Sequence, residues 1–164
     1  SVDELNAHLG VAIEACDQLS NAQVLLSTLK TTQKVLFDIG SHIATPAQNA
    51  NEARLKRTAF DAEFVNALED AIDSLDEHLP PLKNFILPGG KVSSHFHVAR
   101  AVCRRAERDL VYLMSAQPDN AYSPQVAKFL NRLSDFLFVS SRYVTHQMSE
   151  DEVIYQKPKP PRSK

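Results

Sequence analysis

Residues 58–79 read TAFDAEFVNALEDAIDSLDEHL and run into Pro80-Pro81. Phe60, Phe64, Leu68, Ile72, Leu75 and Leu79 recur at three- and four-residue steps, the period of one face of an α-helix. The paired prolines end it, because each lacks an N–H and crowds the preceding turn. The spacing predicts a helix from about Thr58 to Leu79. Between the apolar positions stand Asp61, Glu63, Glu69, Asp70, Asp73, Asp76 and Glu77 with no lysine or arginine, which reads as a solvated acidic outer face.

The same period extends to both sides. Upstream, Leu25, Leu29, Leu36 and Ile39 mark a helix from Asn21 to about Ile43 that stops at Thr45-Pro46, since the residue before proline avoids helical dihedrals; residues 44–57 read as a polar loop. Val2, Leu5, Leu9, Ile13 and Cys16 mark a first helix, with Ser1 and Glu4 spaced as a capping box. Downstream, the connector Leu82–Lys91 contains Phe85-Ile-Leu-Pro-Gly-Gly90, apolar for a loop and expected to be covered by protein or ligand. A fourth helix is predicted from Val92 to about Met114 and a fifth from about Pro124 to Met148, joined by the turn-rich stretch Ser115–Ser123. Residues 1–149 form one helical domain on this reading, and the Pro/Lys-rich tail 150–164 is extended or disordered. Helices of this length with short connections predict an all-α, up-and-down five-helix bundle about 30 Å long.

The composition agrees. With 164 residues, 43% apolar and 23% charged, the chain has the makeup of one globular domain and not of a disordered or collagenous one. Four glycines argue against a β-sandwich, a Rossmann fold or a P-loop within these residues. Cys16 and Cys103 form neither a disulfide scaffold nor a C-x-x-C pair, which favours a reducing, intracellular compartment. No apolar run approaches the roughly 20 residues of a membrane helix, and the start does not resemble a signal peptide. A formal charge of -2 and the acidic third helix weigh against a nucleic-acid binder.

Charge is nevertheless segregated. Residues 91–108 hold Lys91, Arg100, Arg104, Arg105 and Arg108 against Glu107 alone. Arg100, Arg104 and Arg108 stand at i, i+4, i+8 and form one stripe, with Ser93 and His97 on the same line. Like charges so placed repel, so either carboxylates from neighbouring helices neutralise them or they grip an anion such as a polyphosphate, whose geometry guanidinium forks match. Spacing leaves both open, and Asp3 and Asp135 are candidate partners. Asn131 and Asp135 share a face of the fifth helix beside Lys128 and Arg132; Asn can pair with a nucleotide and Asp can hold Mg²⁺ through water. Phe129, Phe136 and Phe138 read as core. No Glu-x-x-His of the di-iron type occurs, and His95 and His97 face different directions, so no structural metal is expected. Nucleophile-elbow, H-E-x-x-H and Walker A motifs are absent from the sequence.

Three blocks then carry a resemblance. Phe85 to Gly90, Ser93 through His97 to Arg100-Ala-Val-Cys-Arg-Arg-Ala-Glu-Arg108, and Val126-Ala-Lys-Phe-Leu-Asn-Arg-Leu-Ser-Asp135-Phe-Leu-Phe138 resemble the signature blocks of the PduO-type ATP:cob(I)alamin adenosyltransferases. Val2-Asp3-Glu4-Leu5 resembles that family's opening block, and the similarity runs from residue 1 to about 145. It implies a ferritin-like five-helix bundle assembled as a homotrimer, with active sites at subunit interfaces. The implied reaction transfers the 5′-deoxyadenosyl group of ATP to cob(I)alamin, made from base-off, four-coordinate cob(II)alamin, giving adenosylcobalamin and triphosphate.

By resemblance, ATP meets Arg104, Arg105, Ala106, Glu107, Arg108 and Asn131, with Mg²⁺ near Glu107. Asp3 pairs with Arg100 across the interface, and Phe85, Phe138, Ser134 and Asp135 border the cobalamin. The implied catalytic contribution is positioning and charge stabilisation of the departing triphosphate, carried by Arg104, Arg100 and Asp3, with no side-chain general base. The partners it implies are an electron donor and an adenosylcobalamin-dependent enzyme such as a mutase. The family's Gly/Thr-rich phosphate segment precedes its V-D-E-L block, so it is expected upstream of Ser1. The wording Lys91-Val-Ser-Ser94 is closer to mitochondrial relatives, which favours a mitochondrial matrix address over a bacterial cytoplasm. The alternative is a non-catalytic bundle that binds and delivers adenosylcobalamin.

Overall fold

The computed structural model describes residues 1–46, 51–53, 56, 59–117 and 121–160. Among these, five long helices carry the fold: α1 (Val2–Ala15), α2 (Gln23–Ile43), α3 (Glu63–Asp76), α4 (Ser93–Ala116) and α5 (Pro124–Gln147). They pack in a closed ring, α1 on α2, α2 on α3, α3 on α5, α5 on α4 and α4 back on α1. The five-helix bundle expected from the sequence is therefore present, in the spatial order 1-2-3-5-4.

That order sets the path of the connector. Glu69 meets Arg132 and Asp76 meets Arg142, so contacts advance together along α3 and α5 and the two run parallel. Glu107 meets Asn131 and Arg100 meets Phe138, so α4 runs antiparallel to α5. The chain leaving α3 thus crosses the C-terminal end of α5 to start α4, and residues 82–91 make that crossing. Its apolar side chains are not covered as expected, since Leu82, Phe85 and Leu87 are exposed; what is covered is one edge of its backbone. The Leu87 N–H donates to the Val153 carbonyl and the Tyr155 N–H to the Phe85 carbonyl, both at 2.8 Å, around an antiparallel bridge between Ile86 and Ile154. Extended backbone after α5 lies along the connector there. Gly90 has φ +84, and an added Cβ would fall 3.1 Å from the Glu150 carboxylate and closer still to Ser93 Oγ, so glycine is needed at this corner.

The core is the inner face of all five helices, with Leu5, Leu9, Leu25, Leu29, Leu36, Ile39, Phe96, Phe129 and Phe136 fully buried. Burying each such side chain contributes about 1.5–3 kcal/mol. The third helix is shorter than expected at both ends: it stops at Asp76, and the chain reaches Leu79 through turns closed by the His78 N–H on the Leu75 carbonyl and the Leu79 N–H on the Asp76 carbonyl. It begins at Glu63, after a turn in which the Asp61 carboxylate accepts the Glu63 N–H at 2.9 Å; the expected start, Thr58, lies outside the described residues. Phe60 keeps its apolar role without being helical, its ring tilted against Phe64 at 5.9 Å and edge-on to Phe129 at 5.5 Å. The capping box at Ser1 is not made, because Glu4 turns to Arg105 of α4 instead. By contrast Ser123 does cap α5, its Oγ accepting from the Gln125 N–H at 3.3 Å ahead of Pro124.

Candidate active site

A cleft of about 760 Å³ opens along the seam of α4 and α5. Helical period alone brings Arg100, Arg104, Glu107 and Arg108 to one side of it and Asn131, Ser134 and Asp135 to the other. Seven residues singled out in the sequence thus line one cleft. Among the described residues, neither Arg104 nor Arg108 makes an ion pair, and Arg100 rests its guanidinium 5.6 Å over the Phe138 ring.

Among the described residues neither expected neutralising partner pairs with the stripe. Asp135 accepts from Arg132 at 3.0 Å, and Arg132 in turn holds Glu69 of α3 at 2.9 Å. The ion-pair lattice weighed for the arginine stripe therefore exists, but around Arg132. It also corrects the reading of the third helix as a purely solvated acidic face, since Glu69 and Asp76 reach arginines of α5. Asp3 lies in a second cleft of about 500 Å³, beside Asn6, Phe37, Ala106 and Asp109. Within one chain the stripe is left with uncompensated positive charge facing open space, which favours an anion as its partner.

Opposite the arginines, the Asn131 amide donates to Glu107 Oε1 at 2.9 Å. This fixes the carboxylate and, among the described residues, leaves its second oxygen and the side-chain Oδ1 of Asn131 without a hydrogen bond. Among the described residues no cluster of three His, Cys, Asp or Glu side chains is placed to hold a metal. One carboxylate suits a cation that arrives with a nucleotide and keeps most of its ligands as water and phosphate oxygen, the usual habit of Mg²⁺.

The run Arg104-Arg-Ala-Glu-Arg108 is divided by the helix. Arg104, Glu107 and Arg108 face the cleft, whereas the Arg105 guanidinium binds Glu4 of α1. That bond holds the Glu4 carboxyl below its ordinary pKa. Ala106 is buried and borders the Asp3 cleft. Ser134 donates its hydroxyl to the Asn131 carbonyl at 2.8 Å, so only its oxygen lone pairs remain for a ligand.

Two helical turns along the same seam the chemistry changes. Arg100 is seven residues before Glu107 and Phe138 seven after Asn131, which separates the two cross-helix pairs by about 10 Å. Phe138 also meets His97 edge-on at 6.5 Å. Burial, and next the Arg100 charge, hold the His97 pKa below its ordinary value, so the ring is neutral there. Phe85, on the connector, is 83% exposed. Its neighbours Ile86 and Leu87 line a small cavity with His97 and Phe138, which puts the connector at this apolar end.

Sequence reasoning passed over Val111, Tyr112 and Ser115, which continue the cleft beyond Arg108; extending the four-residue step would have found them. It also passed over Arg142, a buried arginine one turn past Phe138, which no local signal distinguishes from a surface residue.

Comparison with known proteins gives this arrangement a family. Residues 1–144 match the model of the family described as cobalamin adenosyltransferase. The corrinoid adenosyltransferase MMAB of Mus musculus is 46% identical over 158 residues, 96% of this chain. The corrinoid adenosyltransferase of Bacillus subtilis is 35% identical over 158 residues. The chain spans 65% of the length of the mouse relative and 77% of the bacterial one. A variant PduO-type ATP:corrinoid adenosyltransferase from Lactobacillus reuteri, solved in complex with cobalamin and ATP, superposes with a TM-score of 0.81 at 34% identity, covering 95% of this chain and 82% of that one. A bundle of this order, with its arginine stripe and aromatic end on one seam, belongs to the cobalamin adenosyltransferase family.

Proposed function

We propose that the chain is an ATP:cob(I)alamin adenosyltransferase. Cobalt(I) donates an electron pair to C5′ of ATP, the C5′–O bond breaks, and its electrons leave with triphosphate; adenosylcobalamin is the product. The observation that carries this reading is the seam itself: uncompensated Arg104 and Arg108 with Glu107 and Asn131 at one station, and Phe138 with Arg100 about 10 Å away at the next. One station suits a triphosphate and the other the apolar side of a corrin.

In this assignment Arg104 and Arg108 bind the triphosphate and stabilise its growing charge as it leaves. Glu107, oriented by Asn131, takes Mg²⁺ with the nucleotide. Arg105 and Ala106 complete the nucleotide segment, Arg105 by fixing α1 against α4. Phe138 and Phe85, with Ser134 and Asp135, border the corrin and keep water from its lower face. The working assembly is a homotrimer in which Asp3 of one subunit meets Arg100 of the next; the two occupy separate clefts of one chain and, among the described residues, neither makes an ion pair within it, which supports that pairing. An electron donor and an adenosylcobalamin-dependent enzyme such as a mutase are its partners. Its location in this reading is the mitochondrial matrix, on the wording Lys91-Val-Ser-Ser94. Among the described residues no helix is long and apolar enough to cross a membrane.

The test is to mix the full-length protein with ATP, Mg²⁺ and chemically reduced cobalamin and follow the cobalt absorption. Conversion to the adenosylcobalamin spectrum with release of triphosphate is expected. Tight binding of adenosylcobalamin without turnover would replace the enzyme by a carrier.

A further inference from the structure

Phe85 is an aromatic ring held out into solvent on backbone that is pinned from several directions. At the start of the connector, the Pro80 carbonyl accepts from Arg142 at 2.8 Å. In its middle, Phe85 and Leu87 are bonded to residues 153–155 of the chain that follows α5. That following segment is itself tied down, because Glu152 accepts from Arg142 Nε at 2.8 Å. The Arg142 side chain is 5% exposed and has Asp76 at 4.0 Å as a further charge. One buried guanidinium therefore joins the end of α3, the entry of the connector and the strap at 150–155.

A planar fork with several donors is suited to this, and lysine is not, since it presents one charge on a flexible stem. Burying an arginine is costly unless its donors are satisfied, and here they are satisfied by the two segments that determine where the connector lies. Holding a loop in its working shape before the ligand arrives removes the ordering cost from binding.

We propose that Arg142 is a positioning residue for the corrin: through Glu152 and the strap it fixes the connector, and so presents Phe85 in a single pose. The proposal rests on the reading of Phe85 as a corrin-facing residue, and the experiment separates the two. Arg142→Lys and the exposed-site variant Tyr155→Pro, which removes the strap N–H that donates to the Phe85 carbonyl, are compared with Phe85→Ala and the wild type, all as full-length protein.

Hydrogen exchange at the Leu87 amide reports the strap without any substrate. Losing hydrogen bonds of this kind is expected to speed its exchange about tenfold in both variants, with the helical amides unchanged. Cobalamin kinetics report Phe85: KM for cobalamin is expected to rise about tenfold and KM for ATP to stay within about twofold of wild type. The four-coordinate fraction of ATP-bound cob(II)alamin, read by absorption or paramagnetic resonance, is expected to fall toward the Phe85→Ala value.

Unchanged Leu87 exchange in Tyr155→Pro overturns the proposal whatever the activity. So does faster exchange with wild-type cobalamin parameters when Phe85→Ala alters them, because the strap then holds a loop without positioning the ring. Wild-type cobalamin parameters in Phe85→Ala itself would instead show that the corrin reading of Phe85 is at fault, and Arg142 would have nothing to position.

Discussion

Replacing Arg104 by alanine should move stability and activity in opposite directions. Arg104 lies four residues from both Arg100 and Arg108, about 6 Å along the axis from each. It is exposed and, among the described residues, has no ion-pair partner, so truncation orphans nothing buried. Two like-charge i,i+4 contacts disappear, each unfavourable by a few tenths of a kcal/mol, so the protein gains about 0.5 kcal/mol. For a domain of this size that raises Tm by about 1–2 °C. Against this, charge-assisted hydrogen bonds to phosphate contribute about 1.5–3 kcal/mol, so kcat/KM should fall by roughly 10- to 150-fold. If the bond strengthens as triphosphate leaves, most of the loss falls on kcat. Arg104→Lys, with charge but no fork, should lie between. Steady-state adenosylation at varied ATP, with thermal denaturation of the same samples, checks both halves. A kcat/KM within about twofold of wild type refutes the phosphate assignment, and a Tm several degrees lower would make Arg104 a structural ion-pair residue.

Other perturbations separate the remaining roles. Glu107→Gln keeps an acceptor for the Asn131 amide but removes the charge, so the Mg²⁺ concentration needed for half-maximal rate should rise several-fold; an unchanged Mg²⁺ titration would exclude this carboxylate. Asp3→Ala should weaken subunit association and the adjoining site, and normal sedimentation with normal activity would refute the pairing with Arg100. Phe136 is fully buried, so Phe136→Ala should cost about 3–5 kcal/mol of stability, read by denaturant unfolding, and a cost below 1 kcal/mol would contradict the packing. His97 has its pKa lowered from 6.5 by burial and Arg100, so as pH falls the unfolded state takes up its proton first. Its contribution is therefore complete above pH 6.5 and is lost as pH drops through the lower folded value. The decline of Tm with acid in this range should be shallower in His97→Gln, and identical slopes would show that the ring is not held neutral.

The bundle and most of the cleft were legible because both are written in the helical period. Leu5 and Leu9, or Leu68 and Leu75, announce a buried face by spacing alone, and the same arithmetic aligns Arg100, Arg104 and Arg108 on one wall. Where adjacent residues differ, period also explains the division: Arg105 is one step and about 100° around from Arg104, which turns it to Glu4. The start of α3 was not legible, because Phe60, ahead of the turn at Asp61, still packs as if the helix continued. Nor was the burial of Arg142, or the meeting of residues 85–87 with 153–155, since a pairing between distant extended segments leaves no periodic trace in either.

The placement of α5 carries a consequence for how such a protein changes by mutation. Asn131, Asp135, Phe138 and Arg142 follow one another along a single face of a helix wedged between α3 and α4. A core substitution that rolls or slides this helix shifts all four as a unit, so the proposed nucleotide contact, the proposed corrin wall and the loop anchor change together. Selection or engineering aimed at one substrate therefore has little room inside α5. Independent adjustment is left to residues carried by other parts of the chain, such as Tyr112 at the far end of α4 and Phe85 on the crossing.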